Sequence, residues 1–364
     1  MNKFMNHSSP KKVYATRFEA GFSLLEMMIA ITVFLIVMSA VYGLLRIGII
    51  SRNTINHRSE TIQNARSAVN AVGKDLVNAG LGFSRVGGIV PDDFVHNLLN
   101  TTADSGPERD LLTGIIAGNN IRESDISLIG TKNDVIAFAF RDLQFNGGNP
   151  LIITDAPILS ITNNSNVLKT AANGCTACQP YDLYLVESKD GKQAVVMATA
   201  VPDTNSIVLG RDDPLGLNQK VIDGLNRQSI LSKCIVSNTI NCINYSSGVT
   251  AKKIYWISFS VEVDGTLVRT TYGNNTGGTA SQQIQKQPLA YGVQNFQVRY
   301  LMQDGTMSDD PSQGNTIPMK MNEVVQVEIT ITVKSQSDQN GVITTELINV
   351  TSTFSTRNLK YAIQ

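Results

Sequence analysis

The chain has few of the residues that most enzymes use for proton transfer, and neither sign of charge is in excess. Its 364 residues include only three histidines, His7, His57 and His96, and 30 basic side chains balance 30 acidic ones. No Ser-His-Asp or Cys-His set can be assembled convincingly from these histidines, so the sequence predicts no enzyme and no cofactor. The balanced charge gives no overall field that would attract nucleic acid, and nucleic-acid binding is therefore disfavoured.

Cysteine is also sparse, and its spacing indicates a structural role. The four cysteines are Cys175, Cys178, Cys234 and Cys242. The first pair lacks the following helix and βαβ pattern of a thioredoxin-like redox site. The long interval between the pairs is poor for a compact zinc site. We expect two local disulfides, Cys175–Cys178 and Cys234–Cys242, in an oxidising compartment; zinc binding and the other two connectivities remain alternatives.

Two further groups of side chains could each be read either as a ligand site or as part of the structure. Asp304, Asp309 and Asp310 offer oxygen ligands but lack the spacing of an EF-hand, so we expect exposed turn carboxylates and predict no metal. Trp256 stands among aromatic residues of a predicted strand, where core or cross-strand packing is commoner than a ligand platform.

One long apolar run is present. Residues 22–45 carry a single charge and as a helix would span roughly 36 Å, enough to cross a bilayer. Basic residues outnumber acidic ones before the run, which predicts a cytoplasmic N-terminus and places the chain beyond Arg46 outside. The run is longer than the apolar region of an ordinary secretory signal, and no small-x-small cleavage site follows before Arg46.

The single charge inside the run is Glu26, and a carboxylate in an apolar span usually faces a specific partner. The stretch Gly21-Phe22-Ser23-Leu24-Leu25-Glu26 resembles the prepilin signature of type IV pilins and type II secretion pseudopilins. The resemblance implies that a prepilin peptidase cuts after Gly21 and that Phe22 becomes the N-methylated N-terminus. It also implies that Glu26 stays in the mature helix, where it pairs with the amine of a neighbouring Phe22 during assembly.

The helix is predicted to continue beyond the membrane. Six apolar positions follow one another at intervals of 7, 3, 4, 3 and 4 residues, typical of a helix with one buried face: Ile55, Ile62, Ala65, Val69, Val72 and Leu76. A single helix from Phe22 to about Asn78 would be roughly 85 Å long. Gly43, Gly48 and Gly73 argue against its continuity, and Gly80 is a natural C-terminal cap.

The remainder alternates short runs rich in β-branched and aromatic residues with turn residues, which predicts antiparallel strands. The clearest hairpin joins 254–263 to 266–272 through Asp264-Gly265. Loops are expected near 100–121, 160–174, 273–283 and 303–317. The predicted fold class is α+β, a long pilin-like helix packed on a large antiparallel β domain. Its parts are a leader (1–21), a transmembrane or filament-core helix (22–45), an amphipathic periplasmic helix (46–80) and a β-rich periplasmic domain (81–364).

Motifs at both ends of the chain narrow the resemblance to minor pilins of the PilW type. Residues 63–66 and 74–82, with Asp75 before Ala79-Gly80-Leu81-Gly82, look like the helix end of that group, although Leu81 stands where an aromatic residue is usual. Residues 292–305, 325–329 and 354–358 look like its three C-terminal landmarks, with Glu328 replacing the usual Arg of the middle one and Thr356-Arg357-Asn358 standing for its Leu-Arg-Asn.

This resemblance implies a structural protein that primes or caps a type IV pilus. Its implied partners are the prepilin peptidase, other minor and major pilins and the inner-membrane assembly platform. The implied location is the inner membrane, crossed once with the C-terminal domain in the periplasm, and later the pilus on the cell surface. The alternatives are a type II secretion pseudopilin and a pilus-tip adhesin or DNA-uptake receptor.

Overall fold

A single long helix opens the described part of the chain. The computed structural model describes residues 21–84, 87–91, 94–95, 111–128, 130–160, 165–189, 191–210, 213–222, 225–228, 248–311, 321, 323–339 and 342–360. Helix α1 runs without interruption over Leu24–Asn78 and is about 82 Å long at 1.5 Å per residue. The predicted continuous helix is therefore confirmed. By contacts the chain divides into two units, Met1–Asn56 and His57–Gln364.

The second unit contains the β structure. Its strands are β1 (Gly88–Ile89), β2 (Leu111–Leu112), β3 (Ile115–Arg122), β4 (Asn133–Arg141), β5 (Leu151–Ser160), β6 (Ser165–Thr170), β7 (Leu183–Glu187), β8 (Gln193–Met197), β9 (Ala200–Asp203), β10 (Ser206–Leu209), β11 (Gln219–Ile222), β12 (Leu225–Gln228), β13 (Val249–Val261), β14 (Leu267–Tyr272), β15 (Ile284–Ala290), β16 (Val293–Met302), β17 (Met307–Ser308), β18 (Val324–Gln339) and β19 (Val342–Ser355). Two 3-10 turns (Phe145–Gly148 and Ala280–Gln282) and the short helix α2 (Arg357–Lys360) complete the set.

Strand β13 organises the larger sheet because its two halves pair with different strands. Its first half pairs with β5 and β7, while its second half pairs with β4 and β14. All of these pairs are antiparallel, and β1 with β8 forms a parallel pair at one side. A second sheet has the order β17-β16-β18-β19, and β11 pairs with β12. The α+β fold predicted from the sequence is confirmed.

The second half of α1 packs within this unit on a large apolar core. Ala65, Ala68, Val69, Val72 and Leu76 are all buried, at the spacing that predicted one buried helix face. The core that they join includes residues of both sheets: Phe138, Phe259, Phe296, Ile331 and Val333. Burial of side chains of this size, at about 1.5–3 kcal/mol for each large one, fixes the helix on the sheets.

Two side chains of β4, in the larger sheet, bind the backbone of β16, in the second sheet. In the described residues these two strands do not pair. The Asn133 Oδ1 accepts the N–H of Phe296 at 2.8 Å, and the Asp134 Oδ2 accepts the N–H of Val298 at 2.7 Å. The other oxygen of Asp134 accepts the N–H of Asn120 at 2.8 Å. Asn133 and Asp134 are buried, so these bonds satisfy β16 donors that would otherwise be unpaired inside the protein.

The strand predictions succeed where alternation is clear and fail in three predicted loops. The 254–272 hairpin is confirmed, with Gly265 at a φ of 79° and Val261 opposite Leu267. The loops expected near 100–121, 160–174 and 303–317 are wrong in part. The first contains β2 and β3, the second contains β6, and the third contains β17. The sequence Gly118-Asn119-Asn120 is typical of a turn. In the structure it lies within β3, where Asn120 adopts a φ of 53° and the pairing of β3 with β4 shifts its register.

The buried carboxyl of Asp134 predicts that the protein loses stability as the pH rises from about 4 to about 6. Burial raises the pKa of Asp134 from 3.8 to about 6, and the two N–H donors only partly oppose this shift. In that window the folded protein holds a proton that the unfolded chain releases, so the free energy of unfolding falls with pH, by about 3 kcal/mol at most. Burial also raises the pKa values of Asp182 and Asp213 and adds to the slope.

Urea unfolding followed at several pH values between 4 and 7 measures this slope. Asp134→Asn is the comparison variant, and its free energy of unfolding is expected to vary less with pH than that of the wild type. Equal slopes for the two proteins would show that Asp134 titrates normally.

Candidate functional site

The residues that carry the prepilin-like motif lie together at the exposed start of α1. Gly21, Phe22 and Ser23 precede the helix, and Phe22 is 79% exposed. A Cβ placed on Gly21 would meet no atom within 4 Å. No residue that the structure describes covers the bond between Gly21 and Phe22, so these residues leave it accessible to an enzyme.

Ser23 and Glu26 form the N-terminal cap of α1. The Ser23 Oγ accepts the N–H of Glu26 at 3.4 Å, and the Ser23 carbonyl accepts the N–H of Met27 at 3.1 Å. Glu26 thus occupies the third helical position, where a negative charge interacts favourably with the helix dipole. The sequence reasoning missed this cap, although the spacing Ser-x-x-Glu before an apolar run is its known signal.

The first half of α1 presents apolar side chains all round. From Leu24 to Ile49 the large apolar residues are exposed, among them Leu24 at 80% and Leu44 at 71%. Within the described residues, α1 is the one helix long and apolar enough to cross a membrane. Such a surface in water would be strongly unfavourable, so it needs lipid or other apolar helices around it.

The far end of α1 brings the sequence motifs from both ends of the chain together. The Asp75 Oδ2 and the Arg269 Nε form a partly buried ion pair at 2.7 Å, which links α1 to β14. The Asn358 amide donates to the carbonyl of Val77 at 2.9 Å, close to the helix end. A Cβ at Gly73 would overlap the ring of Phe354. The sequence does not reveal the Asp75–Arg269 pair because the two residues are far apart along the chain.

Glycines allow the turn after α1 to lie against a second backbone. Gly80 has a φ of 79°, and its N–H donates to the carbonyl of Ala139 at 2.9 Å. A Cβ at Gly114 would overlap the Cα of Gly80, and one at Gly80 would overlap Leu359 of α2. The Ala79-Gly80-Leu81-Gly82 turn therefore docks between β4, the residue before β3, and the C-terminal motif.

The structure contains the first predicted disulfide. Cys175 and Cys178 are bonded, with their Cα atoms 5.2 Å apart, and both are buried. The N–H of Cys175 donates to the carbonyl of Thr204 at 2.8 Å, which ties the loop to the β9–β10 turn. Cys234 and Cys242 lie outside the described residues, so their predicted pairing stays a prediction.

The remaining candidate residues have structural partners. Trp256 is 1% exposed and stacks on Tyr272 with ring centroids 4.2 Å apart, as core packing predicts. In the acidic loop, Asp304 Oδ1 accepts the N–H of Thr306, and Asp309 pairs with Arg299 at 2.9 Å. No group of three or more metal-ligating side chains occurs in the part of the chain that the structure describes.

Comparison with known protein families gives a match at the N-terminal site. The model of the prokaryotic N-terminal methylation motif matches residues 16–42, which include Gly21, Phe22, Glu26 and the start of α1. No curated protein matches the chain. The match covers the motif and the apolar helix and does not extend into the β domain. It indicates a pilin-like or pseudopilin-like protein that is anchored in a membrane by α1.

Proposed function

We propose that the chain is a minor pilin that is cut after Gly21, N-methylated at Phe22 and built into a type IV pilus, where it primes or caps assembly. The observation that carries this proposal is the exposed Gly21–Glu26 motif at the start of an exposed apolar helix, matched by the methylation motif. The prepilin peptidase acts on the Gly21–Phe22 bond. The apolar half of α1 then leaves the membrane and packs among the helices of other minor and major pilins on the inner-membrane assembly platform.

Glu26 has a specific part in this assembly. Once the leader is removed, Phe22 carries a charged amine one residue before the cap of α1. Glu26 of an adjoining subunit offers a carboxylate for that amine, and the pair removes two unpaired charges from an apolar filament core. Cleavage therefore releases the leader and also creates the Phe22 amine with which Glu26 pairs.

The PilW type is the finer assignment that we propose. What supports it is the convergence at the end of α1, where Asp75, the Gly80 turn, Phe354 and Asn358 all take part in one junction. Motifs that are far apart in the sequence thus contact one another at the end of α1, and together they hold the β domain against this end of the helix.

We propose that the N-terminus is cytoplasmic and that the β domain is periplasmic. The basic residues before α1 outnumber the acidic ones there, which favours this direction. The Cys175–Cys178 disulfide is consistent with an oxidising compartment for the β domain.

N-terminal analysis of the protein purified from membranes is expected to find N-methyl-phenylalanine at residue 22. Gly21→Val should block the cut and leave the leader attached, because it changes the motif residue next to the bond that the peptidase cuts. Gly43→Val is the matched control, since a Cβ at Gly43 also meets no atom within 4 Å but lies outside the motif. An intact Met1 in the wild type, or a cut near residue 40, would contradict the proposal.

A further inference from the structure

The apolar half of α1 carries a recess on one side. The residues that line it follow one another at helical spacing and so share one face of the helix: Val41, Leu44, Leu45, Gly48, Ile49 and Arg52. Gly48 has no side chain to fill the middle of this face, and a Cβ there would meet no atom within 4 Å. The whole recess belongs to the unit Met1–Asn56. It is apolar along most of its length and has a guanidinium at its far end.

The recess lies at the level where α1 would leave a membrane. Measured along the helix from Phe22, Val41 is about 29 Å away, which matches a hydrocarbon core roughly 30 Å thick. Tyr42 is 69% exposed at this level, where aromatic residues mark the membrane surface. Arg52 lies about 45 Å along the helix, and long side chains of a helix lean back towards its N-terminus. Since Arg52 lines the recess together with Gly48, its guanidinium is directed back towards the headgroup layer.

This end of the apolar segment is positively charged. No acidic residue occurs in 27–59, whereas Arg46 and Arg52 lie within this stretch and are exposed. Arg58 pairs with Glu346 at 3.1 Å, but neither Arg46 nor Arg52 has an ion pair in the described part of the chain. Positive charge without a partner, beside an apolar recess, matches a ligand with an anionic head and an apolar tail.

We propose that, while α1 is in the membrane, the recess binds an anionic phospholipid. A phosphate oxygen accepts hydrogen bonds from the Arg52 guanidinium, and an acyl chain lies along Val41 and Leu45. Arginine suits this ligand because its planar set of donors matches phosphate oxygens in pairs. Arg46 lies about 9 Å from Arg52 along the helix, within a Debye length, and its charge favours a lipid with a net negative charge over a zwitterionic one.

A second helix is the other ligand of suitable size for an apolar recess, and it fits less well. Its apolar side chains would contact Leu45 and Ile49, but the Arg52 guanidinium would lack an acceptor unless that helix also placed a carboxylate at the same depth. A phospholipid supplies the acceptor at this depth by its own structure, because its phosphate lies at the boundary of the hydrocarbon core.

Native mass spectrometry of the full chain, purified from membranes in a mild detergent, tests the proposal. In titrations with dioleoyl lipids, we expect phosphatidylglycerol to bind at least about fivefold more tightly than phosphatidylethanolamine. Arg52→Gln should lower the affinity for phosphatidylglycerol about fivefold, because one basic residue at a membrane surface contributes about that factor. Gly48→Leu should lower it by a comparable factor although both arginines remain, because leucine fills the recess.

Arg66→Gln is the matched control, because Arg66 is an exposed arginine of the same helix outside the recess. This variant should bind phosphatidylglycerol as the wild type does. Equal affinities for the two lipids, an Arg52→Gln effect no larger than that of Arg66→Gln, or wild-type affinity in Gly48→Leu would overturn the proposal. Self-association of the lipid-free protein that Gly48→Leu abolishes would overturn it as well and assign the recess to a second helix. None of these results bears on the cut after Gly21, so failure here would leave the pilin assignment intact.

Discussion

Glu26→Val is expected to be inserted and cut normally but to enter filaments at least about 100-fold less efficiently than the wild type. Removal of one partner from a buried ion pair costs about 3–5 kcal/mol, and about 1.4 kcal/mol corresponds to a factor of ten. The cap of α1 should survive, because the backbone N–H of residue 26 makes the bond to Ser23. The ratio of the protein in sheared filaments to that in membranes measures the effect.

Glu60→Val is the matched control for this experiment. Glu60 lies on the same helix, beyond the predicted membrane span, and its contact with His57 at 3.8 Å is exposed. A surface pair of this kind contributes about 1 kcal/mol or less, so incorporation should be nearly unchanged. If Glu26→Val enters filaments as well as Glu60→Val does, the pairing of Glu26 with a neighbouring Phe22 is wrong.

Local pattern was enough to predict the helix and the motif at its start. The buried face of α1 follows from the spacing of Ala65, Val69, Val72 and Leu76, because the period of a helix repeats on one side. The three glycines that argued against continuity do not interrupt α1. A Cβ at Gly43 or Gly48 would meet no atom within 4 Å, and the other residues of the helix maintain it there, while Gly73 is required by the ring of Phe354.

The parts that could not be predicted depend on contacts distant in sequence. The side chains of Asn133 and Asp134 bind the backbone of β16, and Asp75 pairs with Arg269, but neither arrangement leaves a periodic signal. Strand β6 was expected to be a loop because its residues 165–170 are mostly polar. Its pairing with β5 and β10 overrides that composition.

Close approach of two backbones explains why the turn after α1 needs small residues on both sides. Gly114 lies before β3, and its Cα faces Gly80 across the junction. The carbonyl of Gly114 accepts the N–H of Ala139 at 3.1 Å, and the Gly80 N–H donates to the carbonyl of the same Ala139. The junction is thus held by main-chain bonds on both sides of the contact and has little room to widen.

Gly114→Ala should therefore destabilise the protein by about 3 kcal/mol, at the upper end of what overpacking typically costs. The new Cβ would overlap the Cα and N of Gly80, and a backbone cannot be moved aside by a change of rotamer. Urea unfolding of the full chain in detergent, followed by the fluorescence of Trp256, the single tryptophan, measures the change. Gly48→Ala is the control, because its Cβ meets no atom within 4 Å and alanine favours a helix by about 1 kcal/mol. A loss below about 1 kcal/mol for Gly114→Ala would mean that the two backbones do not meet, and the docking of the helix end on the β domain would then need another explanation.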